Sequence, residues 1–162
     1  MLVLRYAGLL ALTLWVGGLV VLGGIAAPSI FDVLARQPAA DSRLLAGAIF
    51  GEVLRRFHLL SYACGAVLVG TLLARRVLGP RPVRFAVRLS IACLMCAAMV
   101  YSGTILSARI ARAQSAIGAA PSSLPPGDPR RVAFGRLHAI STGLLALPVL
   151  GGLVLLFREL KD

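Results

Sequence analysis

The 162-residue chain is 59% hydrophobic with a mean hydropathy of +0.89, well above the apolar share of a water-soluble domain, so lipid is the expected solvent. Its 17 Lys and Arg against 6 Asp and Glu would suit a nucleic-acid partner. The arginines, however, bracket apolar runs instead of covering one face, and no basic recognition helix or aromatic sheet motif accompanies them, which argues for membrane topology and lipid headgroups and against nucleic acid.

In chain order, the first apolar run holds 26 uncharged residues from Tyr6 to Phe31, too long for a signal peptide's core and right for a tilted span. Flanking arginines delimit three more: 18 residues between Arg56 and Arg75, 20 between Arg88 and Arg109, and 21 between Arg136 and Arg158, each near the roughly 20 that cross a hydrocarbon core. The expected fold is all-α, a single integral membrane four-helix bundle over residues 1–162, with spans about 6–31, 57–74, 89–108 and 137–157. Pro38, Asp41 and Ser42 signal a helix that starts well before the second span. A tight turn around Gly79, Pro80 and Pro82 follows that span. The third helix is expected to overrun to Ile117 with Gly118 as its cap, before a Pro-, Ser- and Gly-rich loop. Asp128 should cap the fourth helix with Pro129 in its first turn. Three helices then project past the membrane on one face.

Lys and Arg divide 8 to 9 between the two faces, so the raw count does not orient the chain. Arg5 before the first span, Asp32 after it and the arginine-dense second loop place both termini in the cytoplasm. Pairs such as Gly47/Gly51, Ala66/Gly70 and Ala139/Gly143, together with Gly17, Gly18, Gly23 and Gly24, predict close helix approach. Pro28 and Pro148 predict kinks or ends, and Trp15 lies too deep to be an interfacial anchor, so it should pack inside.

Candidate chemistry sits where Glu52, Arg55, Arg56 and His58 open the second span, Arg109 and Arg112 close the third, and Arg136 and His138 open the fourth. Alternating helix direction brings all eight to one face. Two imidazoles ringed by guanidinium groups suit haem b or another carboxylate-bearing ligand, with His58 and His138 as axial ligands and Arg55, Arg109 and Arg136 near the propionates. Helical spacing adds Tyr62 and Gly65 to the His58 face, where Gly65 leaves room for a flat ligand, and Ser141 to that of His138. The plainer account is that the arginines snorkel to headgroups and the histidines hydrogen-bond within the bundle. Cys93, Cys96 and Met99, spaced by three, offer soft ligands for copper(I), or ordinary packing. No phosphate loop, nucleophile elbow, zinc-type His and Glu spacing or deep acidic residue supports catalysis or a proton relay.

The segments WVGGLVVLGGIAAPSIFDVL from Trp15, AGAIFGEVLRRFHLLSYACG from Ala46, ARIAR from Ala108 and FGRLHAIST from Phe134 resemble the bacterial members of the transmembrane protein 205-like family. Matching positions are Trp15, Gly17, Gly18, Pro28, Phe31, Phe50, His138 and Ser141. The resemblance implies a four-helix fold in a bacterial inner membrane and a loose link to metal or drug tolerance, without naming a ligand. Taken together, these features describe a non-catalytic accessory or structural subunit that packs against lipid or other membrane-protein subunits. A haem or redox protein using His58 and His138, and copper handling through Cys93, Cys96 and Met99, are the alternatives.

Overall fold

The computed structural model describes residues 2–37, 41–79 and 84–161; Pro38, Pro80 and Pro82 lie outside them. Among the described residues the chain is helical, with no strand. Four helices are long and apolar enough to cross a membrane: α1 Leu2–Ala35, α2 Ser42–Leu78, α3 Phe85–Ile117 and α4 Pro129–Lys161. The chain is thus an all-α, multi-pass membrane bundle. α1 packs on α2, α2 on α3, α3 on α4, and α4 back on α1, closing an up-and-down ring. Apolar side chains such as Leu14, Leu59, Leu94 and Leu150 stand outward and exposed, as a lipid-facing surface requires.

At 33 to 37 residues each, the helices run about 50 Å, against a hydrocarbon core of about 30 Å. Arg5, Arg75, Arg88 and Glu159 meet at the end where the termini lie. About 20 residues further along each helix stand Ile25, Arg55, Ala108 and Ala139, so Arg55, Arg109 and Arg136 mark the second boundary. Beyond it all four helices continue. α1 joins the other three because it runs on to Ala35, where Phe31 meets Phe50 of α2 with ring centroids 6.4 Å apart.

Two helices carry a π turn, Leu22–Ala26 in α1 and Tyr101–Leu106 in α3. The first has a local cause. Pro28 has no N–H for the carbonyl of Gly24, and its ring would press on that carbonyl in an ordinary α-turn; widening the turn relieves the clash while the helix continues. α4 likewise runs on past the buried Pro148. Gly118 ends α3 with φ +69°, the left-handed conformation that favours glycine at this position. Asp128 accepts a hydrogen bond from the Arg130 backbone N–H at 2.8 Å at the start of α4. The Arg130 side chain beside it holds the carboxyl below its ordinary range, so the cap stays charged at neutral pH.

The core is a layered column of Leu12, Trp15, Val16 and Leu19 from α1, Cys64, Leu68 and Leu72 from α2, Ala92, Met95 and Met99 from α3, and Leu155 from α4. Trp15 is fully buried. Lipid tails are as apolar as these side chains, so close packing rather than transfer from water holds the helices together. Glycines permit that packing, but of the expected ones Gly18 does so while most do not. A Cβ on Gly17, Gly23, Gly24, Gly47, Gly51, Gly70 or Gly143 would meet nothing within 4 Å, whereas on Gly18 it would lie 2.4 Å from the Phe57 ring and on Gly152 2.2 Å from Val16. Spacing along the chain marks small residues without saying which way the helix turns them. Gly152→Val is expected to lower stability by about 1–3 kcal/mol through overpacking, while Gly17→Val leaves the unfolding temperature in detergent unchanged; equal effects would contradict this placement.

Candidate functional site

α2 and α3 run antiparallel, and two glycines set their register. A Cβ on Gly65 would lie 2.7 Å from Cys96 Sγ, and one on Gly103 would lie 2.2 Å from Tyr62 Oη and 2.6 Å from His58 Cδ2. Residue 65 is therefore level with 96, and 58 with 103. One face of α2, carrying His58, Ser61, Tyr62 and Gly65, presses on the face of α3 that carries Cys96, Met99 and Gly103. Between them runs a cleft of about 330 Å³ lined by Ser61, Tyr62, Gly65, Ala66, Cys96 and Met99 among others. Ala66 and Val100 on its rim are exposed, so the cleft opens toward lipid.

Buried polar atoms gather around this cleft. His58 is 4% exposed, and Ser61 and Ser102 are 1% exposed. His58 Nδ1 lies 2.8 Å from the Leu54 carbonyl oxygen, which can only accept, so Nδ1 donates, and in the neutral imidazole Nε2 is left with a bare lone pair. That Nε2 has no hydrogen-bond partner, nor do Ser61 Oγ, Ser102 Oγ and Trp15 Nε1. Each such group left dry costs roughly 1–3 kcal/mol. Of the four, Ser61 lines the cleft and His58 stands beside Tyr62, which also lines it, so part of the unbonded polar surface is within reach of an occupant.

The α3 π turn belongs to the same region. Its Ser107 hydroxyl donates to the Ser102 carbonyl at 2.8 Å, and Gly103 lies inside the turn, directly against the His58 and Tyr62 rings. Only a residue without a side chain fits there. The His58 and Tyr62 rings themselves are 6.2 Å apart between centroids and tilted. At the other end of the cleft, the space beside Gly65 is filled by Cys96 and by the Trp15 ring, whose edge would lie 3.4 Å from a Cβ at that position. The room expected at Gly65 is thus occupied by the protein itself.

The remaining candidate residues stand elsewhere. His138 is exposed, with its ring stacked on Phe134 of its own helix at 6.2 Å and 10°, and α4 does not rank among the helices packed directly on α2. Arg55 is bound to Glu52 at 2.8 Å through both Nε and Nη2, and Arg56 to the same carboxylate; Arg109 and Arg136 are exposed and Ser141 is buried. Of the sulfur residues, Cys93 is exposed, Cys96 half-buried and Met99 buried. Steps of three residues turn a helix by about 60°, so the three sulfurs fan out from the outer surface to the core. Among the described residues no group of three or more His, Cys, Asp or Glu is placed to hold a metal ion. Ser61, Ser102 and Trp15 Nε1 escaped sequence reasoning, because hydroxyls and an indole inside apolar runs carry no signal until a neighbour fails to bond them.

A family model described as "Domain of unknown function (DUF4149)" matches residues 10–118, a stretch that takes in α2 and α3 entire, α1 from residue 10 onward, and the whole cleft. No curated protein and no solved structure matches the chain.

Proposed function

This chain belongs to the family described as "Domain of unknown function (DUF4149)", and we propose that it is a non-catalytic membrane protein that holds a small amphipathic molecule in the cleft between α2 and α3. The observation that carries this reading is the bare, buried Nε2 of His58. Such an acceptor calls for a hydroxyl or N–H donor, and the apolar cleft beside it calls for a ring or chain that reaches the site through the bilayer. The cleft is of ordinary ligand size, with the Ser61 and Tyr62 hydroxyls along its wall. Outside this cleft, the apolar outer faces suit packing against lipid or other membrane-protein subunits.

Metal or haem binding is the competing account. Cys96 lies level with Gly65, and His58 with Gly103, seven residues on, so the imidazole and the thiol are roughly 10 Å apart along the helix axis. A single ion with bonds of about 2.0–2.3 Å is therefore not shared by the imidazole and the thiol, which leaves haem on His58 and copper on Cys93, Cys96 and Met99 as the cofactor readings to test. Oxidised and reduced absorption spectra with iron and copper analysis of protein from its native membrane test the cofactor readings: a Soret band or stoichiometric metal would replace the present proposal.

The direct test uses 1-naphthol, its methyl ether, and the fluorescence of Trp15, the sole tryptophan, whose ring abuts Gly65. Naphthol is expected to quench Trp15 saturably and to bind about tenfold more tightly than the ether, which cannot donate to His58. His58→Phe should erase that difference. Equal binding of the two compounds to the wild type would sink the proposal.

Within the family we assign the chain to the transmembrane protein 205-like proteins on Trp15, Gly17, Gly18, Pro28, Phe31 and Phe50, which fall in the matched stretch, and on His138 and Ser141, which lie beyond it. We place it in a bacterial inner membrane with both termini in the cytoplasm, from the arginine-dense α2–α3 turn. Ser122→Cys, in the exposed α3–α4 loop, should then react with an impermeant maleimide in intact spheroplasts. Reaction only after lysis would reverse the orientation.

A further inference from the structure

Ser61 lacks a bond that Thr71, Thr104 and Thr142 all make. Inside an apolar helix a Ser or Thr hydroxyl ordinarily donates to a carbonyl one turn back on its own helix, and these three threonines donate to the carbonyls of Leu68, Val100 and His138. Ser61 Oγ does not. It is 1% exposed, has no hydrogen-bond partner among the described residues, and lines the cleft between α2 and α3. His58, whose Nε2 is likewise without a partner, stands three residues back on the same helix, about 4.5 Å along its axis.

The walls of the cleft select the body of an occupant. Tyr62, Cys96 and Met99 line it, and sulfur packs favourably at the edge of an aromatic ring, so these walls suit a ring better than a saturated chain. The exposed, apolar Ala66 and Val100 on the rim let a hydrocarbon tail stay in the bilayer while the ring enters. The two unbonded polar atoms then choose what the ring carries. Nε2 of a neutral imidazole only accepts, so it calls for an O–H; Ser61 Oγ both donates and accepts, so it takes either a hydroxyl or a carbonyl. A six-membered ring with oxygens at its opposite corners spans the step from one to the other.

Building on the reading of this cleft as a ligand site, we infer that its occupant is a membrane-soluble hydroquinone, and that the site takes the hydroquinone in preference to the corresponding quinone. The preference follows from the atoms. In the hydroquinone one O–H donates to His58 Nε2 and the opposite oxygen pairs with the Ser61 hydroxyl. The quinone has two hydrogens and two electrons fewer and carries carbonyls at both corners. Ser61 can still donate to one of them, but Nε2 then faces a carbonyl oxygen, lone pair against lone pair, and stays unsatisfied. The protein performs no redox step of its own; it draws the reduced form out of a bilayer that holds both.

The test is quenching of Trp15 fluorescence in the full chain in detergent, under argon, by 2,3-dimethyl-1,4-naphthohydroquinone, by its quinone, and by 2,3-dimethyl-1-naphthol, which keeps a single hydroxyl. The methyl groups block addition of the Cys96 thiol to the quinone ring. The hydroquinone is expected to bind about tenfold more tightly than the quinone, and several-fold more tightly than the naphthol. Ser61→Ala should bring the hydroquinone down to the level of the naphthol while leaving the naphthol unchanged, and His58→Phe should erase the advantage of the hydroquinone over the quinone. The three compounds compared on the wild type decide the matter should either variant not fold. Quinone bound as tightly as hydroquinone, or hydroquinone bound no more tightly than the naphthol, overturns the inference, as does a hydroquinone advantage over the naphthol undiminished in Ser61→Ala. If 1-naphthol still outbinds its methyl ether in that case, the cleft remains a site for a single donor and only the hydroquinone is lost; equal binding of naphthol and ether removes the ligand site and this inference with it.

Discussion

Replacing Glu159 with glutamine is expected to cost about 3 kcal/mol of bundle stability, the largest effect of any single substitution considered for this chain. Glu159 holds Arg5, Arg75 and Arg88 together from three other helices, and its side chain is 9% exposed. Glutamine keeps the shape and a carbonyl acceptor but removes the negative charge that Arg5, Arg75 and Arg88 share, in a poorly solvated site. Partial exposure of Arg5 lets water screen part of that loss, which keeps the cost at the lower end of the range for broken buried pairs. Glu52 is the matched contrast. It binds Arg55 and Arg56 within one helix and in the open, so Glu52→Gln should change nothing measurable. Denaturation in detergent followed by circular dichroism compares the two. Equal stability of the Glu159 variant and the wild type would show that the knot contributes nothing to holding the helices.

The second large effect belongs to Gly103. Leucine there places a Cβ 2.2 Å from Tyr62 Oη and within 2.6–2.9 Å of two His58 ring atoms, where normal contact needs more than 3 Å. Tyr62 is half-buried and can swing toward lipid. His58 cannot follow, because its Nδ1 is tied to the Leu54 carbonyl and the ring is 4% exposed. The expected result is a loss of about 1–3 kcal/mol, the usual range for overpacking, together with loss of saturable naphthol quenching as α2 and α3 are pushed apart at the cleft. Gly143→Leu, at a position with nothing within 4 Å, is the control and should alter neither. Naphthol binding that survives in Gly103→Leu would place the ligand away from His58.

The two predictions concern opposite ends of the bundle, and the sequence discloses those ends unequally. His58, Tyr62 and Gly65 share a face by simple i, i+4 and i+3 spacing, so half of the cleft wall is legible in one dimension. The wall opposite is not. That Cys96, Met99 and Gly103 meet it depends on the α2–α3 register, and the π turn at Tyr101–Leu106 shifts the phase of α3 in a way that no hydropathy pattern announces. The Glu159 knot was hidden for another reason. Its members lie 13 to 154 residues apart and each looks like an ordinary charge at the end of a span, and the carboxylate, next to Arg158 and Lys161, reads as part of a solvated helix end.

By itself the sequence determined the helical class, the four spans, the overrun of α3 to Ile117 with its Gly118 cap, the Asp128–Pro129 start of α4 and the inward Trp15. Those features follow from local chemistry: a span needs an uninterrupted apolar run, a cap needs a residue with the right backbone or side chain, and both are written along the chain. Only the tertiary structure decided that Gly18, Gly103 and Gly152 rather than Gly17, Gly47 or Gly143 carry close contacts, that His58 is buried while His138 is exposed, and that one glutamate gathers three arginines. Each of these depends on the rotation and offset of one helix against another. Helices in lipid settle those by the fit of large side chains such as Trp15 and Phe57 into the spaces that small ones leave.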